Sequence, residues 1–432
     1  MTLTEPCFIG VDLGTSGCRA VAIDRDRLVI AEVRTALPEP LRSSNGGVTQ
    51  DPRLWWDALI RILRELTARV KPFAPRSLCL DGTSSTLLLC RPDGTPLGPA
   101  LMYNDVQSRA EATWIDRAAP AQSPARSASS SLAKLLHLKR HLRPGPGTFA
   151  LHQADWILGR LSNRFGISDW NNCLKLGYDP HRECWPEWLS EIDVRPVRLP
   201  EALAPGTILG PVSTAAAEAT GLPTGTQILA GTTDSTAAAV AAGVVTPGEA
   251  VSCLGSTLVL KIVGSEPVTA PEFGVYSHRF GGLWLIGGAS NSGGAVLRQH
   301  FDESQIRRLS LNLRPDEPTG LDYYPLPAPG ERFPINDPGL PSRMRPRPAN
   351  DARFFQGLLE GIAGIEAKGY RRLHALGAPR ARTVLSTGGG AENKGWSRIR
   401  ERLLGVPVMP TRYGEAAYGA AIIALSGGVP TC

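Results

Sequence analysis

The chain has 432 residues, 46 Lys and Arg against 40 Asp and Glu, and 42% hydrophobic residues. That is enough apolar content for substantial cores and excludes disorder as the dominant state. The net charge of +6 is dispersed, with no run of five or six basic residues to track a phosphate backbone, so no nucleic-acid partner is expected. Eight cysteines without a CxxC pair and seven histidines without HExxH spacing give no structural zinc site and no disulfide framework, which reads as a reducing compartment. Residues 1–6 lack the features of a signal peptide, and the small-apolar stretch 228–245 is broken by Asp234 and its hydroxyl neighbours. A cytoplasmic protein with no targeting segment and no membrane span is therefore expected.

Residues 7–11, 18–24 and 28–34 predict three strands of an antiparallel meander, β-branched residues alternating with glycine and charge. Over 51–70, Leu54, Trp55, Ala58, Leu59, Ile62, Leu63 and Leu66 recur at helical spacing, with Asp51 as N-cap and Pro52 at the first helical position. Strands follow at 77–81 and 86–90, the second turning through Pro92-Asp93-Gly94. The Ala, Pro and Ser-rich stretch 118–131 predicts a surface loop before a helix over 132–142. Residues 227–243 read as a strand, a turn through Asp234, and an alanine-rich helix ending at Gly243. From Glu249 the opening pattern returns: strands at 250–253 and 258–263 around the turn Leu254-Gly255-Ser256-Thr257, then a strand at 283–287, a weak internal duplication. The Pro-dense stretch 319–350 predicts a long loop, a lid or a domain-flanking segment. A helix over 354–376 precedes Gly377 as its C′ residue, a strand at 383–386 runs into Gly388-Gly389-Gly390, and a small-residue helix over 415–425 closes the chain.

Four features could carry chemistry. Asp12 ends a strand before Gly14-Thr15-Ser16-Gly17, a turn whose glycines permit positive φ and close ligand approach and whose hydroxyls can donate to phosphate. The same residues also make an ordinary hairpin turn, and no Walker lysine is present. Gly255-Ser256-Thr257 sits in the same strand-turn-strand context, giving a second candidate phosphate loop. Asp234, between strand and helix, is either an N-cap or a carboxylate able to take a proton from a sugar hydroxyl during phosphoryl transfer. Gly388-Gly389-Gly390 with Asn393 could let a flat nucleoside lie against the backbone, or be a flexible loop.

Asp12-Leu13-Gly14-Thr15-Ser16, Asp81-Gly82-Thr83-Ser84, Gly231-Thr232-Thr233-Asp234, Leu254-Gly255-Ser256-Thr257 and Ser386-Thr387-Gly388-Gly389-Gly390, in this order, resemble the FGGY carbohydrate kinases over nearly the whole chain. Within that family the chain is most similar to the short D-ribulose kinase branch, once called xylulose-kinase-like. Ser130-Ser131-Leu132-Ala133-Lys134-Leu135, Gln153-Ala154-Asp155-Trp156, Leu174-Lys175-Leu176-Gly177-Tyr178 and two stretches within 320–334 carry that closer match.

The resemblance implies an α/β, actin-like (ribonuclease H-like) duplicated fold, with ATP and sugar in a central cleft. It implies a sugar-binding domain over 1–240, joined by the 415–432 helix, and a nucleotide-binding domain over 241–414. Asp234 would be the general base, Asp12 would lie near Mg2+ (through water) and the transferring phosphoryl, and Thr15 would contact the γ-phosphate. Gly14, Ser16 and Gly17 would join the nucleotide site; Gly255, Ser256 and Thr257 would cradle phosphates, and Gly388, Gly389 and Asn393 would hold adenosine. Ser84, with Asp12 and Asp234, would meet the sugar. The cofactors implied are ATP and Mg2+, the partner is a small-molecule sugar, and the oligomeric state is open. Where longer members carry a sugar-contacting Trp-Asn-Asp-x-Arg segment, this chain has Tyr103-Asn104-Asp105-Val106-Gln107, so Asn104 and Asp105 do not identify the sugar. D-ribulose is the expected substrate. D-xylulose, another sugar or polyol, a non-catalytic sugar sensor, and an actin-like ATPase are the alternatives, and a serine hydrolase built on Gly288-Ala289-Ser290-Asn291-Ser292 is weaker still.

Overall fold

A computed structural model describes residues 5–430. The chain divides into two compact units, one formed by the chain up to Ala241 together with Glu415–Pro430, the other by Ala242–Gly414.

The first unit opens with β1 (Pro6–Leu13), β2 (Gly17–Ile23) and β3 (Val29–Ala36), an antiparallel meander. The interior of β1 is almost continuously buried, as befits a central strand covered on both faces. Helix α1 (Pro52–Arg69) follows, with the Asp51 side chain accepting from Arg53 N at its start. Its apolar stripe, Trp55, Leu59, Ile62, Leu63 and Leu66, is buried. The next strand, β4 (Ala74–Gly82), pairs parallel with β1. Helices α2 (Ser131–Leu142) and α3 (Gln153–Ser162) precede β5 (Ile208–Pro211), β6 (Gln227–Leu229), the two-residue β7 (Thr232–Thr233) and α4 (Asp234–Ala242). The sheet order is β5-β6-β4-β1-β2-β3, with β7 also paired to β4. The 118–131 stretch, expected as a surface loop, follows a helix over Arg109–Ala118 and contains a short 3-10 turn at Pro124–Arg126 whose Ala125 is fully buried.

The second unit repeats this plan. Strands β8 (Glu249–Leu254), β9 (Leu258–Gly264), β10 (Tyr276–Phe280) and β11 (Leu283–Ser290) lead to α5 (Gly294–His300) and the long α6 (Asp351–Ala375). They are followed by β12 (Thr383–Thr387), α7 (Lys394–Leu404) and β13 (Val408–Pro410). The sheet order is β10-β11-β9-β8-β12-β13. In each unit a central strand (β1 or β8) has an antiparallel hairpin partner on one side and a parallel strand (β4 or β12) on the other, so the duplication faintly legible in sequence is a duplication of topology. Strand β10 has no counterpart among the expected elements.

The Pro-dense stretch 319–350 is not a lid. Tyr323, Tyr324, Leu326 and Phe333 belong to the core of the second unit, and a Cβ on Gly288 or Gly369 would lie 2.8 or 2.9 Å from the Phe333 ring. The prolines shape a strap that is pinned by its aromatic side chains.

The closing helix α8 (Ala416–Ser426) packs on β1 in the first unit. A Cβ on Gly10 would lie 2.0 Å from Ala417 O, and one on Gly419 would lie 1.8 Å from Ala237 O, so helix backbone meets strand and helix backbone directly. Gly419→Ala should therefore destabilise the protein. The gain of about 1 kcal/mol in helix propensity is outweighed by forcing α8 and α4 apart, where overpacking costs about 1–3 kcal/mol or more. Gly364→Ala, in α6 with nothing within 4 Å of the added Cβ, should instead stabilise. Opposite signs of the shift in thermal midpoint for the two variants check this contact.

Candidate active site

The carboxylates of the first unit converge through strand register. Asp12 on β1 stands opposite Asp81 on the parallel strand β4, and Thr232 and Thr233 of β7 stand opposite Asp81 and Gly82 on its other side. Asp234 follows at once as the first residue of α4. Three co-directional strands thus end in Asp12, Asp81 and Asp234, at the carboxyl edge where open α/β sheets take their ligands.

Asp81 is fully buried, and among the described residues no donor reaches either of its oxygens. Its neighbour is the Asp12 carboxyl, to which it hydrogen-bonds. Two carboxyls share a hydrogen bond only when one keeps its proton. Burial, then the charges of Asp12 and Asp234, push the Asp81 pKa well above the usual carboxylate range, so Asp81 is the neutral donor and Asp12 the acceptor. Asp12 is itself pushed up to about 6, by burial first and by Asp234 next; the bond from Asp81 opposes this, Glu415 adds to it and Arg19 opposes it. Arg19 faces Asp12 across β1 and β2 and is held by Glu32, at 2.6 Å, and by Glu415.

An acid whose pKa is higher in the fold than in the unfolded chain makes the fold less stable as pH rises, here between about 4 and about 6. Asp12→Asn removes that term. It should raise the thermal midpoint at pH 8, the gain shrinking toward pH 4. Melting curves at both pH values check the sign; a lower midpoint at pH 8 would contradict it.

The Asp234 carboxylate accepts from the adjacent Ser235 N, at 2.6 Å. Beside it, Thr233 bonds Thr236, at 2.9 Å, and Thr232 accepts from Asn171, at 3.1 Å. Asp234 is half-buried.

The turn after Asp12 is closed by a bond from Gly14 N to Gly17 O, at 3.0 Å, and its far side is tied by Leu37 N to Ser16 O. Neither Gly14 nor Gly17 adopts the positive φ that a glycine permits. Gly17 is needed for closeness, since a Cβ there would lie 3.0 Å from Thr35 O. Thr15 is half-buried and Ser16 exposed. Ser84 lies in the turn after β4, which is shaped by Thr86 N bonding Thr83 O and by Thr83 N and Oγ1 both donating to Gln153 Oε1. Gln153 holds this turn from α3, a role given by spatial packing across 70 residues and not by any local pattern.

In the second unit, β8 and β12 pair parallel with Cys253 opposite Thr387, which brings their C-terminal turns together. Gly388 has φ +79°, and a Cβ on it would lie 2.9 Å from Leu254 O, just before Gly255. Gly389 faces open space, while Gly390 is filled against Trp396. Asn393 is committed at both ends of its amide, accepting from Trp396 N to cap α7 and donating to Ser310. Ser256 is exposed and accepts from Arg298 of α5, at 2.7 Å; this arginine, 42 residues away, carries no sequence signal of its own. Under these loops lies a buried network: Arg400 makes a two-pronged pair with Glu366, at 2.6 and 2.7 Å, and reaches Ser386 of β12, while Ser252 of β8 bonds Glu366 and Tyr370.

Asp105 is buried, and its carboxylate binds Val48 N, Gln107 N and Gln107 Nε2, so it braces its own segment. A Ser131-His152-Asp155 chain has the bond order of a hydrolase triad, both links at 2.9 Å. Ser131 and His152 are 0% exposed and Asp155 3%, so the chain fastens α2 to α3 and no substrate reaches it. Ser290 is bonded to Glu331. Among the described residues, no group of three or more His, Cys, Asp or Glu is placed to hold a metal ion, and no helix is long and apolar enough to cross a membrane.

Residues 7–241 match the N-terminal domain of the FGGY family of carbohydrate kinases, and residues 250–427 match its C-terminal domain. The chain is 25% identical over 447 residues to the xylulose kinase of Escherichia coli strain K12, covering 96% of this chain and 89% of that protein. It is 28% identical over 442 residues to the xylulose kinase of Streptomyces coelicolor, covering 96% and 87%. The gluconate kinase structure from Lactobacillus acidophilus shares the fold at a TM-score of 0.85 with 17% identity, covering 98% of this chain and 89% of that one. Fold and sequence together define a sugar phosphotransferase of the duplicated actin-like class. The chain belongs to the FGGY family of carbohydrate kinases, ATP-dependent enzymes that use an alcohol group as phosphoryl acceptor.

Proposed function

We propose that this protein phosphorylates a ketopentose, D-ribulose, to D-ribulose 5-phosphate. The observation that carries the phosphotransfer reading is the convergence of Asp12, Asp81 and Asp234 at the ends of β1, β4 and β7. Asp234, at the start of α4, accepts the proton of the attacking hydroxyl. Asp12 receives a hydrogen bond from neutral Asp81 and so presents its own charge to the reacting centre. Thr15 contacts the γ-phosphate, with Gly14, Ser16 and Gly17 alongside, and Ser84 contacts the sugar together with Asp12 and Asp234. Gly255, Ser256 and Thr257 cradle the phosphates, and Gly388, Gly389 and Asn393 hold adenosine. The open face of Gly389 suits a flat ring, while Asn393 contributes by fixing the start of α7.

Mg2+ fits this donor set. It binds through one or two carboxylates and substrate phosphates and keeps several waters, so Asp12 suffices on the protein side, and the ion supplies charge neutralisation at the transferring phosphoryl. Positioning and electrostatics then provide most of the acceleration.

D-ribulose is supported by the resemblance to the short branch. The xylulose kinases among the relatives favour D-xylulose as the second reading. ADP release with Mg-ATP and D-ribulose, D-xylulose, L-ribulose, glycerol or no sugar tests the choice. D-ribulose should dominate; preference for D-xylulose would move the assignment within the family, and sugar-independent release would oppose it.

A further inference from the structure

Lys134 is a cation in an unusual place. It is 0% exposed, yet its ammonium meets three backbone carbonyls: Ser85 O at 2.8 Å, Met102 O at 2.7 Å and Tyr103 O at 3.2 Å. Burying a lysine against neutral acceptors is expensive, and burial lowers its pKa to about 7 even though Asp105 pulls the other way. Three donors pointed at three carbonyls from two separate segments are what the fold gains. One segment is the turn after β4, where Ser85 sits at φ +72°, a left-handed conformation strained for a serine. The other is 102–105. Each ends next to a buried oxygen with no partner among the described residues, Ser85 Oγ and Asn104 Oδ1. Such atoms are rare in native interiors and call for an explanation.

We propose that Lys134 is a positioning residue for the sugar half of the site, its ammonium clamping the turn that carries Ser84 to the segment that carries Asn104, so that both present polar atoms to the substrate. This rests on the reading that Ser84 contacts the sugar. Lys134 acts through these loops and does not touch the reacting atoms.

The test is a double-mutant cycle of Lys134→Met and Ser84→Ala, with KM for sugar, KM for ATP and thermal midpoint measured for each variant. Lys134→Met should raise the sugar KM by about tenfold to a hundredfold, the scale of an ångström-sized misplacement, with little change in ATP KM. The two substitutions should be non-additive because they act through one turn. Leu138→Ala, which removes core packing from the same helix, serves as the stability control and should lower the midpoint without moving the sugar KM. Lys134→Gln retains two donors, should show an intermediate sugar KM, and carries the same comparison if the methionine variant does not accumulate. An unchanged sugar KM in the Lys134 variants, additivity with Ser84→Ala, or an equal rise in Leu138→Ala would overturn the proposal. An unchanged sugar KM in Ser84→Ala would instead remove the underlying reading of Ser84.

Discussion

Asp234→Ala is expected to lower kcat for sugar phosphorylation by about 10²- to 10⁴-fold, the contribution of a positioned general base, while leaving ATP affinity intact. Asp234→Asn separates chemistry from folding: an amide oxygen can still accept from Ser235 N but cannot take up a proton at neutral pH. Both variants should be similarly inactive, and the asparagine variant should melt close to wild type. Direct measurement of kcat and of ATP binding by calorimetry decides this; near-normal turnover in Asp234→Asn would take the base assignment away.

The second large effect is structural and lies beneath the nucleotide loops. Arg400 and Glu366 are 0% exposed and bonded to each other at two points, and Ser252 and Ser386, which they engage, are register partners on β8 and β12. Arg400→Met leaves a buried carboxylate without its counter-charge, a loss of about 3–5 kcal/mol. Replacing both residues, Glu366→Met with Arg400→Met, removes the stranded charge and should recover much of that stability. Because β8 leads to Gly255 and β12 to Gly388, the single variant should also raise the ATP KM. Urea unfolding of the single and double variants tests the coupling. The two units need not unfold in one step, so amide exchange in β8 and β12 locates the loss. A single variant as stable as wild type would contradict the account of this network.

Local pattern shows in the sequence wherever one strand or helix decides the outcome. The β1 to β3 meander, the Asp51 cap of α1, the Gly-rich turns and the strand into Asp234 all come from short stretches with their own propensity and punctuation. What a sequence does not show is register. Nothing near Asp81 says that it faces Asp12, and nothing near Lys134 names three carbonyl partners at residues 85, 102 and 103; both facts arise from strand pairing and helix packing over long separations. The lid expected of 319–350 failed for a related reason. Prolines at 319–350 signal an irregular backbone but not its burial, which Phe333 and the tyrosines decide. Gly14 and Gly17 permit positive φ, and which use a glycine serves is not written locally: at Gly17 the missing side chain serves the approach of a neighbouring strand. The residues proposed for chemistry sit on short motifs; those that hold them, Gln153, Lys134 and Arg298, do not declare themselves.

As a ketopentose kinase, the protein would move the γ-phosphoryl of ATP onto the terminal hydroxyl of its sugar. The most direct measurement is a proton-phosphorus correlation spectrum of the products after reaction with Mg-ATP and D-ribulose. One new phosphomonoester coupled to the two protons of C5, formed in equal amount with ADP, is the expected result. ADP with free phosphate and unmodified sugar, or a phosphomonoester on the oxygen of another carbon, would contradict it.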